Sequence, residues 1–99
     1  MKRTVRILRR AQHDLQEIER YVARDRPEAA GRLIDRLLAG IESLESFPNK
    51  DVVPQDERLA GLGYRVLLER DRLVFYKVTP AQVRIYRVLH GRRRYQHMV

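Results

Sequence analysis

The 99-residue chain contains no cysteine, which removes disulfide staples, thiolate catalysis, iron–sulfur ligation and every Cys-based zinc site. With nothing pointing to an oxidising compartment, the expected location is the cytoplasm. No apolar run approaches the roughly 20 residues needed to span a bilayer, and the basic start MKRTVRILRRAQ lacks the apolar stretch of a signal peptide. Neither a membrane span nor a targeting segment is expected. What is present suffices for one folded domain over 1–99: 43% of residues are hydrophobic and they are spread along the whole chain. A chain this short buries only roughly 60–70% of its unfolded surface, so it holds one modest core.

Acidic residues are missing from both ends. Residues 1–10 carry five basic groups and no acid, and residues 72–99 carry seven basic groups and no acid. The middle of the chain is net acidic, so the ends hold the entire excess behind the net charge of +8. If the ends adjoin in the fold, they form one positive surface that attracts phosphates or an acidic protein at rates that fall with salt. Arginine outnumbers lysine heavily, which suits flat bidentate contacts to phosphate or carboxylate; a GC-rich genome gives the same bias.

Periodicity divides the chain into elements. Thr4–Arg9 alternates in part and reads as a short strand. Ala11, Leu15, Ile18 and Val22 then recur at helical spacing. Pro27 suits the first position of a second helix, with Asp25 and Glu28 favourable near its positive end. Ala30, Leu33, Ile34, Leu37, Leu38, Ile41 and Leu44 carry that stripe until Phe47 and Pro48 stop it. The link at Arg24–Arg26 is short enough to require an antiparallel helix hairpin. Residues 48–63 read as a loop holding one turn of structure around Asp56–Leu59. Tyr64–Glu69, Arg72–Val78 and Val83–His90 read as three antiparallel strands joined by tight turns. The fold class is therefore α+β, in the order β-α-α-β-β-β, with the helix hairpin packed on one face of an antiparallel sheet.

Strict alternation leaves apolar and aromatic groups on both sheet faces, whereas a helix hairpin covers one. Val74, Tyr76 and Val78 share a side, Leu73 and Phe75 the other, and Tyr86 and Val88 oppose Ile85 and Leu89. Either the second face receives a partner through residues such as Tyr76, Tyr86 and Arg87, or the long loop or the tail folds back over it.

Several strings together resemble the ParE/RelE superfamily of toxins from type II toxin–antitoxin modules. They are A-x-x-D-L-x-x-I-x-x-Y at Ala11–Tyr21, L-x-x-F-P at Leu44–Pro48, G-Y-R at Gly63–Arg65, V-F-Y-K-V at Val74–Val78 and I-Y-R-V-L-H-G-R-R at Ile85–Arg93. The likeness runs from about Val5 to Tyr95. It implies a basic toxin of a plasmid-stabilisation or addiction module, held in a hetero-oligomer by a co-expressed antitoxin whose acidic, partly disordered segment folds across it. The superfamily has two mechanisms: ParE-like members bind DNA gyrase and trap its cleaved-DNA state, and RelE-like members cut mRNA in the ribosome. The hairpin motif and the terminal R-V-L-H-G-R-R are more similar to the ParE branch. In that branch no residue is catalytic, and Arg65, Tyr76, Tyr86, Arg87, His90, Arg92, Arg93, Arg94 and Tyr95 are the expected target- or antitoxin-binding set. No cofactor is implied.

A RelE-like reading needs a proton acceptor, a proton donor and cations on the phosphorane. Arg65 and Arg93 would clamp the phosphate, with His90 and Tyr95 as the proton-transfer groups. Lysines around the loop and second strand are usual in such nucleases, and here Lys50 stands alone there. Arg65 has a bland alternative in pairing with Glu69 or a helix acid; His90 has one in ending a strand, and Arg92–Tyr95 in forming a solvated tail. His13 and Glu17 have metal-ligand spacing but no third ligand on their helix face. Ser43 and Ser46 lack a nucleophile-elbow context. A third reading, a plain nucleic-acid-binding domain, lacks a helix-turn-helix or stacking-platform motif.

Overall fold

A computed structural model of the protein describes residues 3–48, 54 and 56–91. The elements follow the expected order: β1 (Thr4–Ile7), α1 (Arg9–Asp25), α2 (Pro27–Ser43), α3 (Glu57–Gly61), β2 (Arg65–Glu69), β3 (Arg72–Val78) and β4 (Gln82–His90). Their bounds depart from the sequence reading by a residue or more at several ends. β1 stops at Ile7; the Leu8 N–H makes one more bond to the Ile85 carbonyl before the chain turns directly into α1. α2 begins with Pro27 at its first turn and ends at Ser43, leaving Leu44–Ser46 as turns before Pro48.

The sheet has strand order β1-β4-β3-β2. β2, β3 and β4 form the antiparallel meander, while β1 pairs in parallel with β4, in register from Thr4 opposite Gln82 to Ile7 opposite Ile85. The two basic ends of the chain thus adjoin through backbone pairing. A parallel neighbour requires a long crossover, and the helix hairpin lies within it.

The main core sits between the hairpin and one sheet face. Ala11 and Leu15 of α1 and Leu37 and Ile41 of α2 meet Val74, Tyr76, Val83, Ile85 and Val88 of the sheet. A second cluster lies on the other face, where Leu59 of α3 covers Val66, Phe75 and Leu89. Asp56 caps α3 by accepting the Leu59 N–H at 3.0 Å, a satisfied first-turn donor that lets five residues hold a helical conformation. The chain's own loop therefore seals part of the face that strict alternation leaves open.

Alternation fails at one place. Between Phe75 and Tyr76 of β3 the register slips, and β4 carries an extra residue, Tyr86, that has no direct partner. This bulge puts Ile85 and Val88 together in the main core and Tyr86 and Leu89 together on the second face. The pattern in which Tyr86 and Val88 oppose Ile85 and Leu89 is corrected accordingly.

Candidate functional site

Outside the α3 patch, the second sheet face is cationic. Arg6, Arg84 and Lys77 each lie between two residues that point into the main core, so all three project to the opposite side. Register aligns them in one row: Arg6 opposite Arg84, and Arg84 opposite Lys77. Neighbouring strands are about 4.8 Å apart, and like charges placed directly opposite are destabilising. Arg6 and Arg84 are exposed, and the Arg84 Nε donates to the Gln82 side-chain oxygen at 2.9 Å. A negatively charged partner would relieve the repulsion within this row.

Two phenols border the row. Tyr64 and Tyr86 meet edge to face with centroids 5.3 Å apart, and the Lys77 ammonium lies 4.4 Å from the Tyr64 ring centre and 5.2 Å from that of Tyr86. Both distances are in the cation–π range. Burial pushes the Tyr64 phenol above its ordinary value, the nearby Tyr86 adds to this, and Arg58 opposes it. Tyr64 is therefore a neutral phenol near pH 7, able to donate a hydrogen bond but not to act as a base.

The sequence-derived residues separate into groups. Arg65 is half-buried at the start of β2, opposite Tyr76. Tyr86 is half-buried beside Lys77. Tyr76 is corrected: it is fully buried on the helix face, where its hydroxyl donates to the Pro48 carbonyl at 3.0 Å, so it presents no surface. Arg87 is likewise not a surface cation. Its Nε and Nη2 donate to the two oxygens of Asp14 at 2.7 and 3.0 Å, and the Val88 N–H donates to the same carboxylate at 3.0 Å. The bulge at Tyr86 precedes this arrangement and re-aims the strand toward α1. His90 ends β4 opposite Arg72, with its Nε2 3.1 Å from Asp71 Oδ2. Lys50, Arg92, Arg93, Arg94 and Tyr95 lie outside the described residues.

Arg65 and His90 do not converge. On β3 their partners, Tyr76 and Arg72, are four residues apart, and β3 itself lies between the two strands. At about 3.3 Å per residue and 4.8 Å per strand, their backbones are roughly 16 Å apart. Arg6, Arg84 and Lys77, with the buried Tyr64 beside them, are the residues of this face that sequence reasoning passed over. The signal was available in the placement of each cation between two apolar residues, but aligning them required the β1–β4 register.

His90 instead borders a second basic surface, a cleft of about 710 Å³ between α1 and the ends of β3 and β4. His13 and Glu17 lie on its α1 wall, 3.6 Å apart and both well exposed. Among the described residues, no helix is long and apolar enough to cross a membrane.

Two solved structures share the fold. The chromosomal ParDE toxin–antitoxin system from P. aeruginosa includes a chain that aligns with a TM-score of 0.76 and 22% identity, covering 90% of this chain and 96% of that one. The RelBE2 toxin–antitoxin complex from Mycobacterium tuberculosis includes one with a TM-score of 0.70 and 20% identity, covering 91% and 99%. At such identities the likeness is one of architecture. No curated protein sequence is significantly similar to the chain. The model of the family described as the ParE toxin of the type II toxin–antitoxin system parDE matches residues 5–95. The match reaches every element from β1, of which it omits only Thr4, to β4, and the chain belongs to this ParE toxin family.

Proposed function

We propose that the chain is a toxin that binds DNA gyrase and traps the enzyme's cleaved-DNA state, and that a co-expressed antitoxin neutralises it by laying an acidic segment over the basic surface. The family match over 5–95 carries this reading. The roughly 16 Å between Arg65 and His90 supports it against the mRNA-cleaving alternative, which needs the two in one site. The basic ends, joined by the β1–β4 pairing, provide a surface to which an acidic antitoxin is attracted.

The deciding measurement mixes purified chain, gyrase, ATP and supercoiled plasmid. Cleaved plasmid that accumulates with added chain and disappears on prior addition of antitoxin is the expected result. Unchanged topology at saturating chain overturns the gyrase assignment, and codon-positioned cuts with translating ribosomes would replace it with the nuclease. The antitoxin is expected as a short reading frame beside the gene, encoding a DNA-binding domain followed by an acidic tail.

A further inference from the structure

The cleft between α1 and the β3–β4 ends contains an arginine two of whose buried nitrogens make no hydrogen bond among the described residues. Arg72 opens β3 and lines the cleft, and its side chain is only 9% exposed. Its Nε and Nη1 are buried without a hydrogen bond among the described residues. Glu69 is the cross-strand neighbour of Arg72 on β2, and Asp71 forms an ion pair with it, its Oδ2 3.5 Å from Nη1. That is longer than a charge-assisted hydrogen bond, and the Asp71 side chain is 63% exposed, so water screens the attraction. The same Asp71 oxygen is shared with His90 at 3.1 Å. By contrast, Arg87, which lines the same cleft, has a bidentate carboxylate and is satisfied. Burying a guanidinium without acceptors is costly, and the cost is recovered when an oxyanion arrives.

We infer that Arg72 is the anchoring cation for a carboxylate side chain of an acidic peptide seated in this cleft. The inference relies on the antitoxin reading above to name the source of that peptide. The cleft's mixed character selects a peptide over a nucleic acid. Glu17 and Asp71 stand in its walls and repel a strand that bears a charge at every phosphate, whereas a peptide can place an acid against Arg72 and neutral groups against the wall acids. Ile18 and Tyr21, one helical turn apart on α1, offer apolar contact beside the anchor, and Tyr21 is 68% exposed. A segment with acidic and apolar residues on one face matches both features.

The test compares the wild-type chain with Arg72→Met, which keeps the stem volume and removes the charge, and with Arg72→Lys, which keeps the charge and removes the fork. Affinity for the full-length antitoxin is measured by calorimetry, and the melting temperature of each free chain is recorded. Arg72→Met is expected to weaken the complex on the order of tenfold to a hundredfold, with Arg72→Lys intermediate. The free Arg72→Met chain should melt no lower than wild type, because an unsatisfied buried charge has been removed. Unchanged affinity in Arg72→Met overturns the inference while leaving the toxin reading intact. A lower melting temperature identifies Arg72 as a structural cation and also overturns it. If an RNA oligonucleotide, rather than the antitoxin, loses affinity in Arg72→Met, the occupant is a phosphate and the inference is wrong. A wild-type chain that does not bind the antitoxin at all overturns the toxin–antitoxin reading itself, and this assignment with it.

Discussion

Asp14 has one role in the fold, and it is structural. β1 ends its pairing at Ile85, so the outer edge of β4 beyond that point lacks a strand partner. The Asp14 carboxylate takes that place, accepting the Val88 N–H and both arms of Arg87 while itself only 6% exposed. One side chain thereby ties α1 to β4 and satisfies an edge donor that burial would otherwise make costly. Asp14→Ala leaves a buried guanidinium and a buried N–H without acceptors, and is expected to cost about 3–5 kcal/mol in urea unfolding. The companion Asp14→Ala/Arg87→Met removes both charges and should recover a large part of that loss. A double variant no more stable than the single one would show that the pair contributes by packing and not by charge. The motif A-x-x-D-L and the segment I-Y-R-V-L-H were legible as strings, but their 73-residue separation hides the contact that links them. Arg87 consequently looked like a surface cation when read within β4 alone.

At the scale of elements, local signals carried most of the architecture. The helical stripes of α1 and α2, Pro27 at the α2 start and the three β-rich runs are properties of short windows, and each element lies where its window points. The second face depended on a five-residue helix and a bulge, neither of which periodicity marks. Leu59 is the one apolar residue of α3 that is fully buried, and it fills the centre of the second cluster. Leu59→Ala is expected to cost about 2–5 kcal/mol, with a matching shift of the urea midpoint. It should also increase binding of a hydrophobic dye, since Val66, Phe75 and Leu89 lose their cover. Retention of wild-type stability would mean that α3 rests on the sheet without supporting it.

For the molecule as a whole, the division of charge along the chain implies one basic surface if the two ends adjoin, and the parallel pairing of β1 with β4 brings Arg6 and Arg84 side by side. Composition could not reveal that register sets Arg6, Arg84 and Lys77 in line, because a shift of one residue would turn each to the opposite face. A row of like-charged residues on strands about 4.8 Å apart stores repulsion that the free protein must tolerate. Arg84 is at its centre, with a cation on either side. Arg84→Gln is therefore expected to stabilise the free chain by up to about 0.5 kcal/mol at low ionic strength. That gain should fade toward 1 M salt, where the Debye length shrinks to about 3 Å and the wild-type repulsion is already screened. Urea titrations of both proteins across a salt series read this directly as two stability curves that converge. The same substitution removes one cation from the surface offered to an acidic partner, so antitoxin association at low salt should slow while the free chain becomes more stable. Parallel salt curves would show that the row carries no repulsion; a destabilised Arg84→Gln would assign the arginine to holding the sheet together, leaving partner attraction to the rest of the basic surface.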